Sequence, residues 1–338
     1  MEQTSRNTVW FRVPMLKKIS LSLATLLVLA VSGFAGFVFL ARPQSRPPLA
    51  VSATATPERL ARGEYLAYTT GCLDCHSKRD FKRYAGPPVM PLGAHADCFD
   101  KGVGVPGVVC PPNLTSDRET GLGSWTDGEI LRAMREGIAK NGRPLFPLMP
   151  YGDLRHLSDE DALSIVAFLR TLPPVSYKAP APQLDFPMPI VVRFIPKPLE
   201  GAVSAPPRSD VQAYGKYITT TSGCLFCHTT ADERMMPIPG REWAGDNEFR
   251  GPWGAVRSAN LSPHETGLGG KTKENFIGLF RAFGAAEGEV APGAQNTVMP
   301  WSLYNKLTDE DLGIVYDYLK AQKPVANTVD RFPKTPRG

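Results

Sequence analysis

The chain has 338 residues, 42% of them hydrophobic and 21% charged, which is a globular composition long enough for two domains with separate cores. Its 31 glycines and 33 prolines favour long loops, and it carries no phosphate-cradling glycine loop and no Gly-x-Ser-x-Gly elbow, so nucleotide chemistry and serine hydrolysis lack support. Of the formal charge of +5, Arg6, Arg12, Lys17 and Lys18 against Glu2 place +3 in the first eighteen residues and leave +2 for the remainder; no basic stripe marks a nucleic-acid surface.

In chain order, a cytoplasmic tail (1–18) is followed by an uncharged run, Ile19 to Ala41. That is long enough to cross the hydrocarbon core as a helix of roughly 20 residues. The preceding cations predict a cytoplasmic amino terminus and an exported remainder. A signal peptide is the competing reading, with Gly33-Phe34-Ala35 as a small-x-small site. The run, however, is longer than the usual h-region of about 7–15 residues. The expected location is therefore the inner membrane, single-pass, with the folded part in the periplasm.

A helix is expected from Pro57 to about Thr70. A second starts at Thr126, where Thr126 and Glu129 make a capping box, with Ile130, Leu131, Met134 and Ile138 on one face. A third opens with Ser158-Asp-Glu-Asp161, acids that suit the positive end of its dipole. The same order then returns, with helices from Asp210 to Thr221, from near Thr272, and from Thr308-Asp-Glu-Asp311. No strand pattern is evident, and the expected fold class is all-α.

The repetition extends to the letters. "ARGEYLAYTTGCLDCH" from Ala61 aligns without gaps with "AYGKYITTTSGCLFCH" from Ala213, and "ETGLG" occurs at Glu119 and Glu265. "LSDED" at Leu157 returns as "LTDED" at Leu307. Offsets of 146 to 152 indicate two tandem domains, 57–175 and 210–325, with a tail at 326–338; solenoid units are shorter, about 20–50 residues. Pro173 to Pro207 holds ten prolines in 35 residues, so the linker (176–209) should run extended. Its "IVVRFI" (Ile190 to Ile195) is apolar enough to lie on a domain surface.

Cys72-Leu-Asp-Cys75-His76 and Cys224-Leu-Phe-Cys227-His228 fit Cys-x-x-Cys-His, the haem c attachment pattern. Two thiols on one turn can reach the two vinyl groups of a porphyrin edge, and the adjoining imidazole meets the iron. Zinc needs four ligands, which neither copy offers at finger spacing, and a redox dithiol needs a βαβ context. The cofactors expected are therefore two covalently bound haem c groups. Five methionines precede a proline: Met90, Met149, Met188, Met236 and Met299. Met149 and Met299 stand 73 and 71 residues beyond their histidines, each eight residues before its L-[ST]-D-E-D helix. They are the expected second axial ligands, while Met90 and Met236 are expected near a haem edge. His95, His156 and His264 have no equivalents between copies and read as surface residues.

Cys98 and Cys110 bracket a glycine-rich insertion and have no counterpart in the second copy. In an oxidising compartment a disulfide is expected, the alternative being a haem thiolate. Asn113-Leu-Thr and Asn260-Leu-Ser match a glycosylation sequon, but their recurrence beside "ETGLG" marks a structural loop. Trp125, Tyr151 and Trp301 are read as haem-packing aromatics.

The motifs "RGEYL…GCLDCH", "NLTSDRETGLGSWTDGEILRAMREGI", "LFPLMPY" and "LSDEDALSIVAFLRTLPPV" resemble tandem class I c-type cytochromes. They are most similar to the cytochrome c subunits of membrane-bound alcohol, aldehyde and gluconate dehydrogenases, over Pro57 to Val175 and Asp210 to Val325. The resemblance implies covalent links through Cys72, Cys75, Cys224 and Cys227, proximal His76 and His228, and distal Met149 and Met299. It implies an electron carrier, not a catalyst, between a donor dehydrogenase and an acceptor cytochrome or terminal oxidase. The usual subunits carry three haem domains and lack the Cys98–Cys110 insertion. A di-haem peroxidase or a thiosulfate-oxidising cytochrome is the alternative.

Overall fold

The computed structural model describes residues 13–232, 236–251, 253–286, 288–291 and 293–334. The expected cytoplasmic tail lies outside the described residues over 1–12, and the C-terminal tail over 335–338. α1 (Val13–Leu40) contains the apolar run; Lys18–Val38 has a mean hydropathy of 2.2 and is the one stretch among the described residues long and apolar enough to cross a membrane. It lies in a unit of its own, Met1–Pro43, and Gln44–Gly338 forms a second.

Within the second unit one order of helices occurs twice. α2 (Pro57–Thr69) begins with Thr56 accepting from the Arg59 N–H and with proline at its first turn, both helix-start devices. α3 (Cys72–Cys75) follows directly. α4 (Asp127–Glu136) starts at the expected capping box: Thr126 Oγ1 accepts from the Glu129 N–H at 3.2 Å, and Glu129 Oε2 accepts from the Thr126 N–H at 2.8 Å. α5 (Tyr151–Leu154) and α6 (Asp159–Leu169), capped by Ser158, complete the first half. After α7 (Met188–Val191) the series returns as α8 (Val211–Thr221), α9 (Cys224–His228), α10 (Lys273–Gly284), α11 (Trp301–Tyr304) and α12 (Asp309–Lys320).

Ile138 is fully buried but not on α4, because Gly137 at φ 73° ends the helix in the left-handed region and Ile138 bridges Pro144 instead. The fold is helix-rich but not strictly all-α. β1 (Gly107–Val108) pairs antiparallel with β2 (Gln183–Leu184), and β3 (Glu248–Gly251) with β4 (Gly254–Arg257) in the register Glu248↔Arg257. These ribbons satisfy backbone groups of the long loops and are too short to show an alternating pattern.

The proline-rich segment does not simply run extended. β2 and α7 lie within it, and Val192 and Leu199 are buried. Asp159 donates its N–H to Val203 O at 2.9 Å, and Arg155 Nη2 donates to Pro198 O at 3.0 Å. "IVVRFI" therefore contributes a buried side chain, as its apolar character suggested.

α2 packs on α6, and α8 on α12. A Cβ at Gly63 would come within 1.9 Å of Ser164 O, and one at Gly215 within 2.4 Å of Tyr318 Cβ, so each crossing requires glycine at the contact. Leu66, Ile165 and Val166 of the first half join Ile218, Leu312 and Val315 of the second in one apolar core.

The halves also exchange tyrosines. Tyr217 of α8 donates to Asp161 Oδ2 of α6 at 2.6 Å and accepts from the Ser158 N–H at 3.1 Å. Tyr65 of α2, at the repeated position, donates to Asp311 of α12 and bonds the Thr308 backbone. Each phenol thus sits at the N-terminus of the other half's last helix, on the last acid of the "SDED" or "TDED" motif. Arg62 grips Asp161, and Arg208 grips Asp311, so both carboxylates are paired from their own half as well.

Candidate functional site

Each Cys-x-x-Cys-His segment is delivered by the helix before it through one left-handed glycine. Gly71 at φ 78° follows α2 and Gly223 at φ 68° follows α8, a conformation that residues with a Cβ reach only at a cost. One short helical turn then carries both thiols and the imidazole. None of the four cysteines takes part in a disulfide. Burial pushes Cys75, Cys224 and Cys227 up to about 12 and raises Cys72 as well. Reactive dithiols show the opposite shift. Among the described residues no three His, Cys, Asp or Glu side chains gather as a metal-ion site.

His76 and His228 are buried, 6% and 8% exposed, and burial lowers both below the ordinary imidazole value, which keeps them neutral. His76 Nδ1 lies 2.8 Å from Pro112 O, and His228 Nδ1 lies 2.8 Å from Ala259 O. A carbonyl only accepts, so Nδ1 holds the proton and Nε2 keeps a lone pair; this is how a second partner orients a ligating histidine.

Directly after each of these carbonyl residues stands one of the two sequon-like asparagines, which ties the loop down. Asn113 Nδ2 donates to Thr120 Oγ1 at 3.1 Å, Val175 O at 2.7 Å and Tyr177 O at 3.3 Å, while its Oδ1 accepts from the Thr115 N–H. Asn260 repeats the set with Thr266, Val325, Asn327 and Ser262. Both side chains are buried, at 2% and 5% exposed, which rules out glycan attachment in the folded protein. The threonine of each "ETGLG" serves as a partner, so the loop is structural.

Met149 and Met299 occupy matching turns. Each is partly buried against the core and followed by a proline that opens α5 or α11. The Met149 carbonyl accepts from the Tyr151 N–H, and the Met299 carbonyl from the Trp301 N–H, both at 2.8 Å. Met90 and Met236 are 74% and 61% exposed; the chain packs neither of them into its core. His95, His156 and His264 stand on exposed or half-exposed loops. Cys98 and Cys110 are bonded to each other across a separation of 12 residues. Tyr151 is buried against Gly137, Trp301 packs on Phe280 and Phe283, and Trp125 is half-buried beside the core.

Sequence reasoning did not anticipate that the two cysteine turns approach each other. Cys75 is raised in part by Cys227, and Tyr304 by both turns together after burial itself. Nor did it single out Asp74 and Arg79, a buried ion pair at 3.1 Å beside the first turn. Their signal is a departure from the repeat: the equivalent positions hold Phe226 and Ala231.

This donor set fits a covalently attached haem: paired neutral thiols on one turn, and beside them an imidazole with Nε2 unprotonated. No family model matches the chain. Among curated proteins, it is 30% identical to the gluconate 2-dehydrogenase cytochrome c subunit of Pantoea cypripedii, over 77% of this chain and 58% of that one. It is 27% identical to the cytochrome c subunit of the quinone alcohol dehydrogenase of Gluconobacter oxydans, over 79% and 55%. It is 28% identical to a diheme cytochrome c-type protein of Cereibacter sphaeroides, over 88% and 96%. The chain spans little more than half the length of the first two and nearly all of the third. It is a homologue of the cytochrome c subunits of dehydrogenases, the resemblance its motifs carry.

Proposed function

We propose that the chain is a di-haem c-type cytochrome that relays electrons from a dehydrogenase to a respiratory acceptor such as a soluble cytochrome or a terminal oxidase. Two tandem domains, 57–175 and 210–325, each hold one haem c. Cys72 and Cys75, and Cys224 and Cys227, would bond it covalently, and His76 with Met149, and His228 with Met299, would ligate the iron. α1 supports a single-pass anchor, with the folded part on the periplasmic side. The observation that carries this reading is the doubled arrangement of a buried neutral histidine whose Nδ1 is held by a braced backbone carbonyl.

Bound haem supplies a one-electron ferric–ferrous couple, whose potential a methionine opposite histidine raises. The chain's own residues hold that couple still. The Asn113 and Asn260 braces fix ring orientation, and the surrounding apolar core limits access of water. If His76 and Met149, and His228 and Met299, both ligate, the protein would leave no coordination position for a reactant, as a relay requires and a peroxidase does not. The Cys98–Cys110 bond removes both sulfurs as candidate iron thiolates, and with them the basis for a thiosulfate-oxidising site.

Carbon monoxide tests the closed coordination. The ferrous holoprotein should not take it up, whereas Met149→Ala and Met299→Ala should each bind one equivalent. Uptake by the unaltered protein would contradict the relay.

A further inference from the structure

We infer that the loop 79–88 of the first half, which follows the first cysteine turn, is the positioning element for Met299 in the second half. The inference rests on the proposed assignment of Met299 as an iron ligand. Asn296, three residues before it, is 3% exposed and is bonded to the first half. Its Oδ1 accepts from the Ala85 N–H at 2.8 Å, and its Nδ2 donates to Phe81 O at 3.0 Å and Arg83 O at 3.3 Å. The same Oδ1 accepts from the Thr297 N–H at 2.8 Å, and Thr297 Oγ1 accepts from the Met299 N–H at 3.1 Å. Val298 O is held by Arg79 Nη2 at 3.3 Å. Every residue from Asn296 to Val298 is thus fixed either by the first half or by the relay that ends on Met299 itself.

The supporting loop is rigid in its turn. Arg79 donates to Gly86 O at 2.8 Å and Ala85 O at 2.5 Å, pairs with Asp74, and lies 4.6 Å from the centre of the Phe81 ring. Backbone bonds from Tyr84 to Gly288 O at 3.3 Å and from Val290 to Lys82 O at 2.8 Å seat the loop on the second half, with Tyr84 stacked on Phe283.

The arrangement is not reciprocal. The approach to Met149 is held by its own half, through the Leu145 N–H to Gly137 O at 2.7 Å and the Met149 N–H to Phe146 O at 3.1 Å. Phe226 and Ala231 stand where a second Asp–Arg pair would be needed. The second iron therefore depends on the first half for its methionine, and among the described residues no matching hydrogen bond from the second half reaches the approach to Met149. A loop that loses its buried hydrogen bonds opens locally at lower cost than the whole fold, so weakening this contact should release one methionine only.

The test uses the holoprotein and the weak long-wavelength band of ferric haem that reports a methionine–iron bond. Met149→Ala and Met299→Ala calibrate it, each removing about half, one of two equivalent sites. Asn296→Ala should weaken the Met299 half, lower the pH at which that ligand is displaced, and admit carbon monoxide to one haem. Arg79→Gln should act the same way, and Arg79→Lys, which keeps a donor, less. In a Met149→Ala background Asn296→Ala should remove the remaining band; in a Met299→Ala background it should change nothing further. An unchanged band and unchanged ligand displacement in Asn296→Ala, or equal losses at both haems, would overturn the inference. An unaltered band in Met299→Ala would instead overturn the ligand assignment on which it rests.

Discussion

At His76 and His228 the chain uses a backbone carbonyl, not a carboxylate, to hold the ring, and the next residue along the chain is a buried, hydrogen-bonded asparagine. Asn113 and Asn260 each make three donor bonds and accept one. Truncation would remove the amide donor from two part-buried backbone carbonyls and leave the Thr115 or Ser262 N–H without its acceptor, and a buried group left without its partner costs about 1–3 kcal/mol. Asn113→Ala should therefore lower the unfolding free energy by about 2–3 kcal/mol, measured by denaturant titration, and Asn260→Ala should match it. A loss within error of zero would mean the brace is dispensable. The asparagines were visible in the sequence only as sequons recurring at one offset. What the letters could not carry was their partners, Val175 and Val325, some sixty residues downstream. The histidines stood out because they directly follow Cys75 and Cys227 in a pattern that is local in the sequence.

At the scale of elements, the α2–α6 and α8–α12 crossings depend on Gly63 and Gly215, which sit at the same repeated position. Gly63→Ala would drive a methyl group into the Ser164 carbonyl, so the helices must separate; overpacking of this kind costs about 1–3 kcal/mol. The expected result is a lower unfolding midpoint, despite alanine's better helix propensity of about 1 kcal/mol. An increase in stability would show that the crossing relaxes freely. Helix starts were readable because Thr126, Ser158, Thr272 and Thr308 cap with their own side chains, within four residues of the helix they begin. The strands were not, since each spans two to four residues, too few to show alternation, and the β1–β2 pairing joins Gly107 to Leu184 far along the chain, while β3 and β4 form a short local hairpin. Ile138 was misplaced for a related reason: it continues the apolar period of α4, and only the positive φ of Gly137 removes it from the helix.

At the scale of the whole molecule, the reciprocal Tyr65–Asp311 and Tyr217–Asp161 contacts tie the halves together. The repeat showed both tyrosines and both acids, yet nothing in one copy reveals that its partner lies in the other. Burial, and then the facing carboxylate, raise both phenols above their usual value of 10.0. The unfolded chain therefore loses these protons first, so the stability they supply is complete below pH 10 and declines as pH rises above it. Unfolding free energy should fall above pH 10, and Tyr65→Phe with Tyr217→Phe should flatten that decline. Each substitution should cost about 1.5–3 kcal/mol at neutral pH, the range for a hydrogen bond to a charged group. The proposed attachment of one covalent haem to each half can be read from the mass of the intact chain under denaturing conditions. Protein matured with haem should retain the mass of two haems, falling to one when Cys72 and Cys75, or Cys224 and Cys227, are replaced by alanine. A chain that retains one haem or none before any substitution would contradict the account.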